Sequence, residues 1–112
     1  MDLCGVKDIL DDSVIAICKS FPQLTYLVLT WCVSLNDKSV VEGVAKYLTK
    51  LNLLSLYGLV RITDASVEAI LNSPNKDSLE TFDINGCREV TEGDDMSIRK
   101  KFPNVKVTVW HS

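Results

Sequence analysis

Leu24-Thr25-Tyr26-Leu27-Val28-Leu29-Thr30-Trp31-Cys32 is the stretch on which the reading of this chain turns. Leucine stands at 24, 27 and 29 and cysteine at 32. Moving 27 residues on places Leu51, Leu54, Leu56 and Leu59 at the matching positions. A further step of 28 places Leu79, Phe82, Ile84 and Cys87 there. Alternation through Leu27 and Leu29 is the pattern of a short strand with one face buried. Its return at a fixed period means copies of a single unit.

The connecting segments repeat as well. Leu35-Asn36-Asp37-Lys38-Ser39-Val40 is matched by Ile62-Thr63-Asp64-Ala65-Ser66-Val67 and, one unit earlier, by Ile9-Leu10-Asp11-Asp12-Ser13-Val14. Val90-Thr91-Glu92 begins the motif once more. Phe21-Pro22-Gln23-Leu24 returns as Phe102-Pro103-Asn104-Val105 after 81 residues, which is three periods of 27. Beyond each acidic residue the spacing turns helical. Val14, Ile17, Cys18 and Phe21 form one apolar face; Val40, Val44, Tyr47 and Leu48 form another; Val67, Ile70 and Leu71 form a third. Asp11, Asp37, Asp64 and Glu92 are expected to cap these helices by accepting their free backbone N–H groups. Pro22, Pro74 and Pro103 are expected to stop three of them. The alternating tail Lys106-Val107-Thr108-Val109-Trp110 reads as a final edge strand, with Trp110 closing the core. One strand and one helix enclose nothing alone, so neighbouring units must stack.

The pattern resembles the cysteine-containing leucine-rich repeats, whose consensus is close to L-x-x-L-x-L-x-x-C-x-x-I-T-D-x-S/G-V/L. Leu24, Leu27, Leu29, Cys32, Leu51, Leu54, Leu56, Ile62, Thr63, Asp64, Ser66, Val67, Leu79, Ile84 and Cys87 carry the likeness. This repeat class is typical of F-box/leucine-rich-repeat proteins and of antagonist-of-mitotic-exit-like relatives. The resemblance implies an α/β leucine-rich-repeat solenoid. It would have a short parallel β-sheet on the concave face and one helix per repeat on the convex face. Residues 1–112 would form a single domain of about four repeats. It further implies a non-catalytic protein–protein interaction module, in its sharpest form the substrate-recognition part of an F-box-type ubiquitin-ligase receptor. The alternative is a stand-alone adaptor, or a regulatory or assembly factor, with no ligase link. No F-box lies in these 112 residues, and the ligase form would place one upstream of Met1. Leu59 stands in place of the repeat cysteine, and Asp94 and Asp95 stand where Ser and Val are expected. The last unit should therefore face water. Only Met1, Asp2 and Leu3 precede Cys4, so the first strand reads as cut short and uncapped. Three readings follow: the C-terminal part of a longer protein, a short chain, or self-association through that N-terminal edge.

Composition narrows the function classes. A chain of 112 residues holds one small core. Lys and Arg number 12 against 15 Asp and Glu, a net charge of −3, which argues against a nucleic-acid partner. Arg99-Lys100-Lys101 reads as a solvated face of the last helix, and Glu92, Asp94 and Asp95 as serving its N-terminus. No apolar run approaches the roughly 18 residues that span a bilayer, and the start has no basic region. No membrane partner is expected. The five glycines read as scattered and form no phosphate loop. The cysteines, Cys4, Cys18, Cys32 and Cys87, form no CxxC pair, and His111 is the single histidine, expected to be solvated. No metal or cofactor is expected. A disulfide framework is the alternative to the preferred reading of four buried, reduced thiols, which would place the protein in the cytoplasm or nucleus. No nucleophile, base and orienting group come together, so no enzyme is expected.

If a partner binds, the strand residues pointing away from the core should meet it. These are Tyr26, Val28 and Thr30, then Leu53, Ser55 and Tyr57, then Thr81, Asp83 and Asn85, with Trp31 extending the first row. Stacking would set them in columns Tyr26–Leu53–Thr81, Val28–Ser55–Asp83 and Thr30–Tyr57–Asn85. Exposed aromatic and apolar side chains favour a contact surface. The competing reading is that they pack on one another across strands.

Overall fold

Four three-residue strands are present among the residues that the computed structural model describes, which are 1–6, 8–90, 102, 104, 105 and the backbone of 107–109. They are β1 (Tyr26–Val28), β2 (Leu53–Ser55), β3 (Thr81–Asp83) and β4 (Val107–Val109). All pair in parallel, in the order β1-β2-β3-β4. The register sets Tyr26 beside Leu53 and Thr81, Leu27 beside Leu54 and Phe82, and Val28 beside Ser55 and Asp83. Because side chains alternate across a strand, Leu27, Leu54 and Phe82 all enter the core and are fully buried. Leu29, Leu56 and Ile84 follow them inward.

Helical segments return the chain to each next strand: α1 (Asp11–Ser20), α2 (Asp37–Ser39) continuing through a π-helical segment Val40–Val44 into α3 (Ala45–Tyr47), then α4 (Asp64–Leu71) and the single turn α5 (Asn75–Ser78). The π segment has a local cause. Val40, Val44 and Leu48 are all fully buried and lie four residues apart. On an α-helix each step of four drifts by about 40° around the axis. A wider i→i+5 turn takes back part of that drift and keeps all three pointing inward. Gly43, inside this segment, lets α1 approach closely. A Cβ there would stand 3.3 Å from the Ile15 Cα and 3.6 Å from the Cys18 sulfur.

Side chains join successive units at three places. At the helix starts, the Asp37 carboxylate accepts from the Thr63 N–H (2.8 Å), the Thr63 hydroxyl (2.6 Å) and the Ser66 hydroxyl (2.5 Å). Asp11 accepts likewise from the Asn36 N–H at 2.9 Å. These aspartates were expected to cap their own helices. They stand instead as the first helical residue, one place too late to reach back, and bind the cap residue of the following unit. Thr63 is the residue that caps α4, accepting from the Ala65 N–H. At the other helix end, fully buried Asn75 donates to the Leu48 carbonyl (2.6 Å) and accepts from the Leu51 N–H (3.1 Å). At the strand ends, the Cys32 thiol donates to the Leu3 carbonyl and the Cys87 thiol to the Leu56 carbonyl, both at 3.0 Å. Leu59 fills the equivalent place with packing alone.

The first unit differs from expectation. Met1–Gly5 runs along the outer side of β1: the Val28 N–H donates to the Met1 carbonyl, the Leu3 N–H to that of Val28, and the Gly5 N–H to that of Thr30. Val6 donates to the Leu3 carbonyl just as Cys32, Leu59 and Cys87 donate to Leu29, Leu56 and Ile84. Val6 therefore holds the corner place, and Cys4 does not. Cys4 is exposed, which corrects the expectation of four buried thiols. Its N–H is taken by the Asp2 carboxylate at 2.9 Å. Phe21 also departs from its assigned helix face: α1 ends at Ser20, and Phe21 is 53% exposed. Pro74 does more than stop a helix, since it opens α5 as its cap residue. The expectations for Glu92, Asp94, Asp95, Arg99-Lys100-Lys101, Pro103, Trp110 and His111 lie outside the described residues.

Burial pushes the Cys18 thiol up to about 11 and that of Cys87 to about 12, and raises Cys32 as well. Thiol reagents act on the thiolate. Iodoacetamide at pH 8 should therefore alkylate Cys4 alone among the four in the native chain and all four in denaturant, as read by mass spectrometry. Folded thiols that hold their protons past the ordinary 9.0 make stability fall as pH rises from about 9 towards 12, because the unfolded chain deprotonates first. Denaturation midpoints across that range should decline. Leu54→Ala, at the centre of the buried column, should cost about 2–5 kcal/mol in chemical denaturation.

Candidate protein-docking face

Each strand leads into a corner where the chain turns back toward the helices, and each corner uses left-handed backbone. The residues are Gly5 (φ 74°), Trp31 (φ 63°), Gly58 (φ 76°) and Gly86 (φ 82°). Three of the five glycines thus share one place in the repeat, which corrects their reading as scattered. Glycine takes this conformation freely, whereas a residue with a Cβ pays roughly 1–2 kcal/mol. Trp31 is the single non-glycine among the four.

The Trp31 ring has a built seat. It lies over the Gly58 Cα so closely that a Cβ on Gly58 would meet ring carbon Cε3 at 2.5 Å. Gly58 is fixed twice, by its backbone angle and by the indole above it. The Trp31 ring also meets Tyr57 edge to face, with centroids 5.1 Å apart at 70°. The indole remains 52% exposed despite these contacts. At the opposite end of β1, Tyr26 is 51% exposed and borders a groove of about 390 Å³ lined by Phe21, Pro22, Leu24 and their neighbours.

The row residues do not all present themselves to solvent. Val28, Thr30, Leu53, Tyr57, Thr81, Asp83 and Asn85 are half-buried. Ser55 lies beneath its neighbours, 7% exposed, and exchanges a 2.8 Å hydrogen bond with the Thr30 hydroxyl. It serves the packing between strands, as the competing reading proposed. The Asp83 carboxyl is pushed above its ordinary range by burial, and the Asn85 N–H donating to it at 3.0 Å acts the other way.

Two further exposed apolar residues stand outside the strand rows. Val33 and Val60 follow the corner in successive units, and both are exposed. They lie just past the buried pair Cys32 and Leu59. Their 27-residue spacing was available in the sequence, but they stand outside the strand alternation that selected the other residues. The ring pair Trp31 and Tyr57 and the exposed Tyr26 make the aromatic part of the sheet face that the core does not enclose. Among the described residues no group of three or more His, Cys, Asp or Glu side chains could hold a metal ion. No described helix is long and apolar enough to cross a membrane.

No protein-family model matches the chain, and no curated protein matches it. Among solved structures, it is similar to a chain in the crystal structure of the Rad7 and Elc1 complex in yeast, at 16% identity and a TM-score of 0.52. The match covers 95% of this chain and 33% of that one, so the chain spans about a third of the solved chain's length. At this identity the likeness is one of fold.

The left-handed corner inverts a usual order of stability. Trp31→Ala removes the ring and keeps the strained backbone, while Trp31→Gly removes both. The glycine variant should unfold at the higher denaturant concentration, by an amount equivalent to about 1 kcal/mol. An alanine variant as stable as the glycine one would mean that the corner is not strained.

Proposed function

We propose that this chain is a leucine-rich-repeat module that docks a protein partner on the sheet face turned away from its helices, and that it performs no catalysis. One observation carries the reading: the sheet face presents exposed Tyr26 and the ring pair Trp31 and Tyr57, and Trp31 holds its place there against its own backbone preference. Large aromatic side chains that the core does not require dominate interface energetics wherever a partner covers them. The parallel register and the unit-to-unit side-chain bonds support the repeat reading, because each unit meets its neighbour through the same positions. The similar solved chain comes from a structure of a two-protein complex, which agrees with a role in assembly. The sharper form, the substrate-recognition part of an F-box-type ubiquitin-ligase receptor acting in the cytoplasm or nucleus, follows from the repeat resemblance.

The test compares the full gene product with its Tyr26→Ala/Tyr57→Ala variant in affinity purification from the native cell. Circular dichroism should show both folded. Proteins held by the wild type should fall at least tenfold with the variant, as loss of a hot spot of about 2 kcal/mol requires. Skp–cullin components among the co-purifying proteins would support the ligase form, and their absence would leave the adaptor form. Identical retention by both proteins would sink the docking role of this face.

A further inference from the structure

The sheet rows carry an uneven charge. Their outward positions across the first strand segment and β1 to β3 are Asp2 and Cys4, Tyr26, Val28 and Thr30, Leu53, Ser55 and Tyr57, and Thr81, Asp83 and Asn85. Two are carboxylates, and none is lysine or arginine. Asp83 is the central outward residue of the β3 row, half-buried, in line with Ser55. One N–H, that of Asn85, donates to it, and no described residue forms an ion pair with it. A carboxylate in that setting has acceptor capacity left over, and covering it with an apolar group would strand its charge.

Tyr57 stands diagonally from it, with the Trp31 ring packed edge to face against Tyr57 on the far side. The Gly58 N–H donates to the Asn85 carbonyl, so Tyr57 and Asn85 face each other on adjacent strands, with Asp83 two residues back. Strand spacing and rise put Tyr57 and Asp83 about 8 Å apart along that diagonal. An aromatic ring and a carboxylate at this separation, with a second ring packed on the first, match a long cationic side chain: its stem lies on the rings and its head reaches the acid. Arginine fits best, since its planar guanidinium both stacks and forks.

We propose that the partner segment seated on this face presents an arginine or lysine side chain that lies against Trp31 and Tyr57 and pairs with Asp83. The proposal rests on the docking role above and names the chemistry of the partner. It also gives the strained corner a purpose, since a glycine at position 31, as at the other three corners, would leave Tyr57 without the second ring. Burial raises the Asp83 carboxyl above its ordinary range, and a counter-charge arriving with the partner would offset that.

A library of random peptides displayed on phage, selected on the immobilised chain, separates the two levels of the claim. Recovered sequences should be enriched in arginine or lysine over the starting library. Binding of a recovered basic peptide should weaken roughly tenfold or more with Asp83→Asn and with Trp31→Gly. Asp12→Asn, on the helix side, should leave it unchanged. In the unsubstituted chain the same peptide should shift the Trp31 indole N–H resonance, a reading that does not depend on any variant folding. Peptides that bind without a basic residue, that ignore Asp83→Asn in a folded variant, or that leave the indole resonance in place would overturn the cationic assignment while the docking role stands. No enriched sequence at all would overturn both.

Discussion

A strand of three residues cannot satisfy its own backbone, and everything else in this chain follows from that constraint. Each strand finds its hydrogen-bond partners in the unit on either side. The Leu29 N–H donates to the Ser55 carbonyl, that of Leu56 to Asp83, and that of Gly58 to Asn85. Parallel pairing demands that the chain return to the same end each time, which is the work of the helical segments. The side-chain bridges then fix the same register at three points around the unit: Asp37 at the helix start, Asn75 at the helix end, and the Cys87 thiol at the strand end. A slip of one residue would break all three together and turn Leu54 out of the core. Side chains on the outer face are therefore held at fixed spacing before any partner arrives, which lowers what ordering them would otherwise cost on binding.

Much of this was legible in the chain itself, at particular places and for physical reasons. The column of Leu27, Leu54 and Phe82 follows from spacing alone, because apolar period and chain return must agree. The aspartates show the limit of such reading. Composition and position place Asp37 at a helix start, but a carboxylate there can serve its own helix or the following unit. One residue of offset decides between them, and the structure puts Thr63 and Ser66 in reach. Trp31 was legible as an exposed aromatic and illegible as a corner, since no propensity assigns left-handed backbone to tryptophan. The equivalence of Gly5, Gly58 and Gly86 was hidden by unit lengths that are not constant, stepping by 26, 27 and 28 residues through position 31. The same uneven spacing hides that Val6, and not Cys4, holds the place of Cys32 in the first unit. Val33 and Val60 escaped because strand alternation says nothing about residues beyond the turn.

The candidate surface and the scaffold meet at one residue pair. Gly58 serves the fold by taking a backbone angle that glycine alone takes without strain, and by the same lack of a side chain it leaves room for the Trp31 ring. The indole in turn orients Tyr57 on the outer face. Ser55 and Thr30, bonded to each other, close the floor beneath them. Geometry on this face is thus inherited from the paired strands, and its chemistry comes from side chains that the core does not enclose.

The bond from the Cys4 N–H to the Asp2 carboxylate bears on how that strand could be extended sideways. Sheets grow at their margins when a free amide finds a carbonyl on another molecule. Here the Cys4 amide is already engaged by its own chain, and the Asp2 carboxylate stands beside it. A strand adding at that position would have to displace a bond already made before it gained one.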